Sequence, residues 1–572
     1  MAYVIHQELC SCCHRCRVEC PADAIRFKGT KYWIDPEKCI SCGRCAKVCH
    51  NDIISDPSHP AVYETHMPEE ITCEILVIGG GASGLAAAAR AAELGKQVLV
   101  LEKNKEVGGS AWYAHVFRNY YSRWHAQAGL PDRRDRLYRE FMEKTQGHVN
   151  GKLVRRILDA NEDFINWLID DHDLGKDYTF GPQFWGGYGP SAAYDWDYNH
   201  KRIDTTIGPG GTGWYMSNKL LSILLDHGGQ IRYRTRATKL LTDESGAVTG
   251  VIASDPGGVL TVHCHACIIA AGAFSRNKEL TNRFNPVFYQ NDGEPVHVFT
   301  CATCTGDGIT MCEEIGADID YHNARAGMFG PMRHPFGTAS ITAGTSRYGI
   351  QVNTKGEIFD KDCFGEAVSD LAYEPGRIVW KITNEASIAR AEEESIGRPE
   401  DVPGCNMNRF YQNWKTELAQ EAQWGSIFIA DTIDELSCLL EIPAEKLQAA
   451  LDVYNASCGQ PETGMSPNGP VELPPKEEIH EGPYYAILMK LFHENALGGM
   501  VIDENMQVLR GGRPVPGLYA VGDNTRGIMM PGRVGADYIE QTISALTFAL
   551  CSGFAAGEIC ANLDSISEKS KP

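Results

Sequence analysis

The sequence predicts an α/β protein preceded by a small cysteine-rich module. Three observations predict it. An apolar strand runs into Gly79-x-Gly81-x-x-Gly84 and an alanine-rich helix, apolar strand patterns return near residue 500, and nine of the 21 cysteines fall in the first 49 residues. The chain has 572 residues. At roughly one domain per 150 residues, three to four domains are expected. With 43% hydrophobic and 22% charged residues the chain is globular. Its 53 basic and 74 acidic residues leave a net charge of −21. That excess argues against a nucleic-acid or anionic-membrane partner.

The blocks follow from these patterns. Residues 1–62 are cysteine-dense, 71–340 open with strand–turn–helix, 341–480 mix short strands with polar helices, 481–562 return to apolar strands and a last helix, and 563–572 are a polar tail. No basic-then-apolar leader opens the chain, so a cytoplasmic setting with reduced thiols is expected. Gln541 to Gly557 carries no charge but is short and rich in small and polar residues. It reads as a buried helix and not as a membrane span.

The first block holds one internal repeat. Cys10-x2-Cys13-x2-Cys16-x3-Cys20-Pro21 is followed by Cys39-x2-Cys42-x2-Cys45-x3-Cys49. Each run has the C-x2-C-x2-C-x3-C spacing of a bacterial two-cluster ferredoxin, in which the fourth cysteine of each run ligates the other cluster. On that pattern Cys10, Cys13, Cys16 and Cys49 hold one [4Fe–4S] cluster, and Cys39, Cys42, Cys45 and Cys20 hold the second. Structural zinc sites favour four-ligand sets with a long central spacer and fit less well. Cys12 is an extra thiol beside Cys13. The proline usual after the eighth cysteine is His50 here, a change expected to bear on potential more than on fold. A core of about 60 residues is small, so bound clusters should supply much of the module's stability.

The second block opens with Ile75-Leu76-Val77-Ile78, then Gly79, Gly81, Ser83 and Gly84 in the turn, a helix, and Val98 to Leu101 ending at Glu102-Lys103. Glycines there permit a tight turn and a close approach of backbone N–H groups to a pyrophosphate. Glu102 sits 18 residues after Gly84, where a carboxylate accepts from ribose hydroxyls. Gly108-Gly109-Ser110, the strand ending in Ala271-Gly272, and Gly517-Leu518-Tyr519 leading to Gly522-Asp523 resemble the FAD signature of two-dinucleotide-fold flavoproteins. In that reading Asp523 accepts from the ribityl chain. No histidine precedes Gly108 (the residues are Lys105, Glu106 and Val107), so FAD is expected to be non-covalent. A second GxGxxG, Gly208 to Gly213, follows a poor strand. It offers a weaker nucleotide site, for NADPH, with Arg234 or Arg236 near a phosphate.

Residues 71–562 resemble the fumarate reductase/succinate dehydrogenase flavoprotein superfamily, including the 3-ketosteroid dehydrogenases. The motifs are Gly108-Gly109-Ser110, Gly246-x-Val248-x-Gly250-Val251, Thr305-Gly306-Asp307-Gly308, Val352-Asn353-x-Lys355-Gly356-x-x-Phe359, Pro483 to Ile487, Leu497-Gly498-Gly499 and Gly517-Leu518-Tyr519. The resemblance implies an α/β fold: a FAD-binding two-dinucleotide-fold domain split by an α+β capping domain, behind the ferredoxin-like α+β module. Substrate is then clamped between cap (341–480) and flavin, with Asp307 and Gly498 among the cofactor contacts.

The superfamily's catalytic residues do not carry over. Its arginine proton donor aligns with Gly365, and its carboxylate-binding histidine with Asn495. A dicarboxylate substrate is therefore not expected. Reducing an activated C=C bond needs a hydride at one carbon and a proton donor at the other. Tyr113 and His115, after the Gly-Gly turn, and Arg533 and Tyr538, after Gly522-Asp523, are the candidates. The aromatic stretch from Phe180 to Tyr215 suits a flat apolar substrate, but an insertion packed on the FAD domain, or the docking surface for the first block, would look the same. Cys264-x2-Cys267 and Cys301-x2-Cys304 read as core cysteines. The expected partners are a small organic substrate and an external low-potential donor of the ferredoxin or flavodoxin kind, with homo-oligomerisation open.

Overall fold

The computed structural model describes residues 2–10, 15–28, 31–59, 63–114, 117, 119–127, 129, 131–174, 178–180, 198–200, 212–284, 297–298, 300–331, 348–359, 370–371, 374–396, 418–419, 422, 427–460, 462–466, 469–473, 476–528 and 545–563.

The Val/Ile/Leu-rich runs pair as a doubly covered sheet. Four strands are parallel in the order Gly258–Ile269, Glu69–Ile78, Val98–Leu101 and Gln230–Arg232. Arg513–Ala520 also joins Gly258–Ile269 in parallel. Arg236–Thr242 and Val248–Asp255 extend that side as an antiparallel meander, and Gln507–Arg510 pairs with Arg513–Ala520. A parallel sheet must be covered on both faces, which is why its central strands are continuously apolar.

The register sets the geometry of everything above the sheet. Ile78 pairs with Leu101 and with Ile269, and Ile269 pairs with Ala520. The residues that follow each of these therefore emerge along one edge, at the strands' carboxyl ends. Open α/β sheets bind ligands there.

The Ala82–Glu93 helix is buried along nearly its whole length. Alanines let it lie close to the sheet below and to the Ala545–Ala561 helix above. The second contact is close enough to need glycine. A Cβ at Gly553 would come within 2.1 Å of the Ser83 carbonyl oxygen, and one at Gly557 within 2.4 Å of the Ala87 oxygen. Residues 541–544 of the uncharged segment expected to be a buried helix lie outside the described residues; from Ala545 on it is helical, and the helix Ala545–Ala561 is buried at thirteen of its seventeen positions. Among the described residues no helix is long and apolar enough to cross a membrane.

A second sheet of six strands has Tyr484–Met500 as its spine. This 17-residue strand pairs with His297–Val298, Ile319–Pro331, Ile378–Asn384 and Ile427–Ala430. Ile350–Asn353 completes it beside Ile378–Asn384. Helices Ile433–Leu440 and Ala444–Ser457 pack beneath it in a separate apolar core. The sheet thus draws strands from both sides of the 341–480 block. The boundaries expected at 340 and 480 fall inside one sheet, because strands at 319–331 and 484–500 are hydrogen-bonded to each other.

The first module is two small hairpin-like pairs, Val4–Ile5 with Ile54–Ser55 and Ile25–Lys28 with Lys31–Ile34, and short helices Arg15–Val18 and Arg44–Val48. Cys16, Cys45 and Cys49 are buried in its core with Ile5, Ile25, Tyr32 and Ile54.

Gly557→Val forces a branched side chain against the Ala87 backbone. It should destabilise the chain by about 1–3 kcal/mol, read as a lowered midpoint in urea or thermal unfolding with the flavin-free protein.

Candidate active site

The sheet edge gathers the glycine turn, Glu102, Ala271-Gly272 and Gly522-Asp523. Gly79 has φ +110°, and a Cβ there would lie 2.3 Å from the Ala270 oxygen. A Cβ on Gly84 would lie 1.9 Å from the Gly79 oxygen. These two glycines serve close packing of turn, strand and helix. Gly81 is different: a Cβ there meets nothing within 4 Å. The space in front of it, at the N-terminus of a helix, is a cradle a pyrophosphate fits.

Glu102 is buried, and its carboxylate accepts from the N–H groups of Gly80 (2.6 Å) and Asn104 (2.7 Å). Burial pushes its pKa up, while these two donors oppose the rise. Gly108 hooks to the same turn: its N–H donates to Gly80 (2.8 Å), and Gly81 and Gly108 form a parallel bridge. Ser83 lies under Gly522, whose Cβ would be 2.6 Å from the Ser83 hydroxyl. Asp523 follows on that turn, and burial raises its carboxyl to about 6 although part of its surface is accessible.

The second sheet reaches the same place. Gly498 and Gly499 have φ +115° and +143°, and a Cβ at Gly499 would lie 2.2 Å from the Asn524 oxygen. Met500 bridges Thr525. Among the described residues the buried Asn524 side-chain oxygen has no hydrogen-bond partner, a polar group of the kind a cofactor or substrate satisfies.

Lys103 and Asp307 turn to each other. Lys103 Nζ donates to Asp307 (2.9 Å) and Thr305 (2.6 Å), and Arg236 pairs with Asp307 at 2.7 Å. Arg234 pairs with Asp52. Both arginines considered for a second nucleotide are thus held by carboxylates, and a Cβ on Gly213 would lie 2.0 Å from the Ala111 oxygen, so that glycine serves packing. Residues 208–211 lie outside the described residues, as do His115, Arg533, Tyr538 and Gly365. Tyr113 ends the helical turn Gly109–Tyr113.

Cys20, Cys39, Cys42 and Cys45 line one apolar cavity with Tyr3, Ile25 and Ile34. All four are thiols outside any disulfide. Burial, with the like charges of Cys39, Cys42 and Cys20, lifts Cys45 to about 11. Yet among the described residues no three Cys, His, Asp or Glu side chains converge on a point that could hold a single metal ion. Four thiols around one apolar cavity match the ligand set expected for one of the two clusters. Cys10, Cys16 and Cys49 share the same apolar core, and Cys12 and Cys13 lie outside the described residues.

The residue that sequence reasoning undervalued is His50. It is 1% exposed. Nδ1 lies 3.0 Å from the Glu106 carboxylate and Nε2 lies 3.1 Å from the Gly109 carbonyl oxygen. Both partners accept, so both ring nitrogens donate and the ring is an imidazolium. Burial opposes the charge, but Cys301 and Glu106 outweigh it and lift the pKa to about 9. The ring stacks on Trp112 at 4.3 Å. Cys301 and Cys304 are buried as expected, but Cys301 faces His50, and Cys304 faces Ser110 at 3.1 Å. The missing proline after Cys49 was the signal, though its spatial meaning depends on where residue 109 lies.

With this geometry in view, the comparisons are consistent. The family described as FAD binding domain matches residues 74–536, and a 4Fe-4S binding domain matches 32–55. The chain belongs to the FAD-binding family: it is a flavoprotein with an N-terminal 4Fe-4S module. It is 24% identical to an NADH:acrylate oxidoreductase of Vibrio harveyi over 86% of this chain, and spans 51% of that relative's length. It is 23% identical to a vinyl phenol reductase of Lactiplantibacillus plantarum, covering 80% of this chain and 90% of that one. The open conformation of a flavocytochrome c3 fumarate reductase superposes with a TM-score of 0.63 at 20% identity, over 86% of this chain and 79% of that one.

The raised Asp523 carboxyl yields a pH test. The folded chain holds that proton up to about pH 6, whereas an unfolded aspartate releases it near 3.9. Its contribution therefore favours the folded state in acid and is lost as pH climbs through 6. Flavin-free Asp523→Asn should be more stable than the native chain by roughly 3 kcal/mol at pH 7–8. The gap should close towards pH 4, measured by urea unfolding across pH.

Proposed function

We propose that the chain is an FAD-dependent oxidoreductase that reduces the activated C=C bond of a non-dicarboxylate substrate: an enone, or a cyclic or aromatic-derived acrylate-like molecule. Bound FAD supplies hydride transfer to one carbon. Two [4Fe–4S] clusters, held by Cys10, Cys13, Cys16 and Cys49 and by Cys20, Cys39, Cys42 and Cys45, carry single electrons inward from an external low-potential donor.

The observation that carries the reading is the junction in one chain of a cysteine module with the Gly108-Gly109 turn, made through His50. One-electron carriers fused to a two-electron cofactor site serve a relay. The relatives include fumarate reductases, and two of them, named for acrylate and vinyl phenol, support a C=C substrate that is not a dicarboxylate. Asn495 and Gly365, where the superfamily has histidine and arginine, point the same way. Glu102, Asp523 and Ser83 hold the cofactor without a covalent link. The proton comes from Arg533, with Tyr538, Tyr113 and His115 as the other candidates. Arg533 stands between Gly532 and Val534-Gly535, shortly after the Asp523 turn. The setting is the cytoplasm, and the substrate is a small organic molecule.

The absent arginine and histidine favour one second reading: a module that passes electrons to a partner protein. The same machinery run backwards is a dehydrogenase with the clusters as electron exit.

Anaerobically iron-loaded protein, reduced and mixed with a series of enones and acrylates, should show reoxidation of the flavin band, with fumarate inert. Rapid reduction by NADPH with silent clusters would sink the relay. Arg533→Ala should lower turnover by about 10²–10⁴-fold while donor-driven flavin reduction persists. Unchanged turnover would move the proton donor to Tyr538, Tyr113 or His115.

A further inference from the structure

The geometry points to an order for the two clusters: the one ligated by Cys10, Cys13, Cys16 and Cys49 is on the flavin side, and His50 and Arg15 seat it by clamping Trp112. This rests on the relay reading and adds which cluster hands over and through which residues.

Both side chains that the module lays on Trp112 are chain neighbours of one ligand set. His50 is peptide-bonded to Cys49, and Arg15 to Cys16. The His50 ring stacks on Trp112 with centroids 4.3 Å apart and planes at 23°. The Arg15 guanidinium lies 4.4 Å from the centre of the same indole. A cation over an indole and a flat stack are both favourable, and more so away from water. Trp112 belongs to the turn that begins at Gly109, and its Nε1–H donates to the Val107 oxygen at 2.9 Å. That bond closes the loop around Gly108-Gly109.

Around this clamp the chain after Cys49 is stitched down residue by residue. Asn104 donates to the His50 carbonyl at 2.7 Å. Ala302 N–H donates to the Asn51 side chain at 3.1 Å. Asp52 pairs with Arg234 and, at 3.4 Å, with Lys105. Lys105 also reaches the Ala46 carbonyl at 2.9 Å, at the C-terminal end of the Arg44–Val48 helix, where a cation opposes the helix dipole. The opposite ligand set looks outward: Cys42 is exposed, and Ile40 beside Cys39 is 64% exposed. From the Cys49 ligand the covalent path to the flavin turn is one peptide bond, one imidazole and the 3.1 Å hydrogen bond to the Gly109 carbonyl. His50 is a positioning residue here. It touches the loop and fixes how close the cluster sits to it.

The test uses the full chain, reconstituted with iron and FAD under anaerobic conditions. Reduced methyl viologen is the donor, and the flavin band is followed by stopped flow. The iron-free chain supplies the baseline for direct viologen-to-flavin reduction. Hydrogen exchange of segments 44–52 and 104–112 is measured in parallel and needs no turnover. His50→Leu should keep its iron and FAD, slow the iron-dependent phase at least about tenfold, and raise exchange in both segments. His50→Gln, which retains a donor for the Gly109 carbonyl, should recover most of the rate. If His50→Leu fails to load iron, Glu106→Leu removes the carboxylate that orients the His50 ring, from outside the module, and should slow the same phase. A fully loaded His50→Leu chain with native rate and native exchange overturns the assignment. If iron gives no acceleration even in the native chain, the relay reading falls, and the exchange data alone decide whether His50 seats the module.

Discussion

The constraint on which the rest of the structure depends is the backbone-to-backbone approach at the glycine turn. Gly79 presses on the Ala270 carbonyl, and Gly84 on the Gly79 carbonyl, at distances no side chain permits. The helix that starts there is consequently drawn tight against two parallel strands, with its N-terminus at the sheet edge. Alanines continue the close fit along the helix, and Gly553 and Gly557 continue it into the last helix. Because the strands are in register at Ile78, Leu101, Ile269 and Ala520, fixing the turn fixes the position of Glu102, Ala271 and Asp523 together.

A second principle governs the junction with the cysteine module. Charge is buried there, and buried charge is tolerated only when it is paired and hydrogen-bonded. The His50 imidazolium has the Glu106 carboxylate on one nitrogen and a carbonyl on the other. Removing either partner leaves a cation without compensation in an apolar place. The junction is therefore specific: a module shifted by one residue would strand that charge. Trp214 meets Trp112 edge-on at 6.1 Å from the aromatic stretch whose role was open between substrate pocket and docking surface.

Much of the fold was legible because its signals are local. The Gly79–Gly84 turn, the apolar strand before it and the acid after the next strand lie within 34 residues of one another, and the paired cysteine runs carry their spacing on their face. What was not legible depends on distant partners. The second sheet is one such case, since Ile319–Pro331 shows its allegiance only by pairing with Tyr484–Met500. The ion pairs of Asp307 with Lys103 and Arg236 likewise join residues far apart in the chain.

By itself the sequence determined the kind of chemistry: thiols at cluster spacing and a dinucleotide turn. Residue identity and short-range spacing are enough for that, because ligation and tight turns involve neighbours in the chain. Tertiary structure alone decided how the parts meet. His50 stands 59 residues from Gly109, and nothing local to either marks the other. Only the folded sheet, by carrying the Gly108-Gly109 turn to its edge, gives a histidine after a cysteine ligand something to hold.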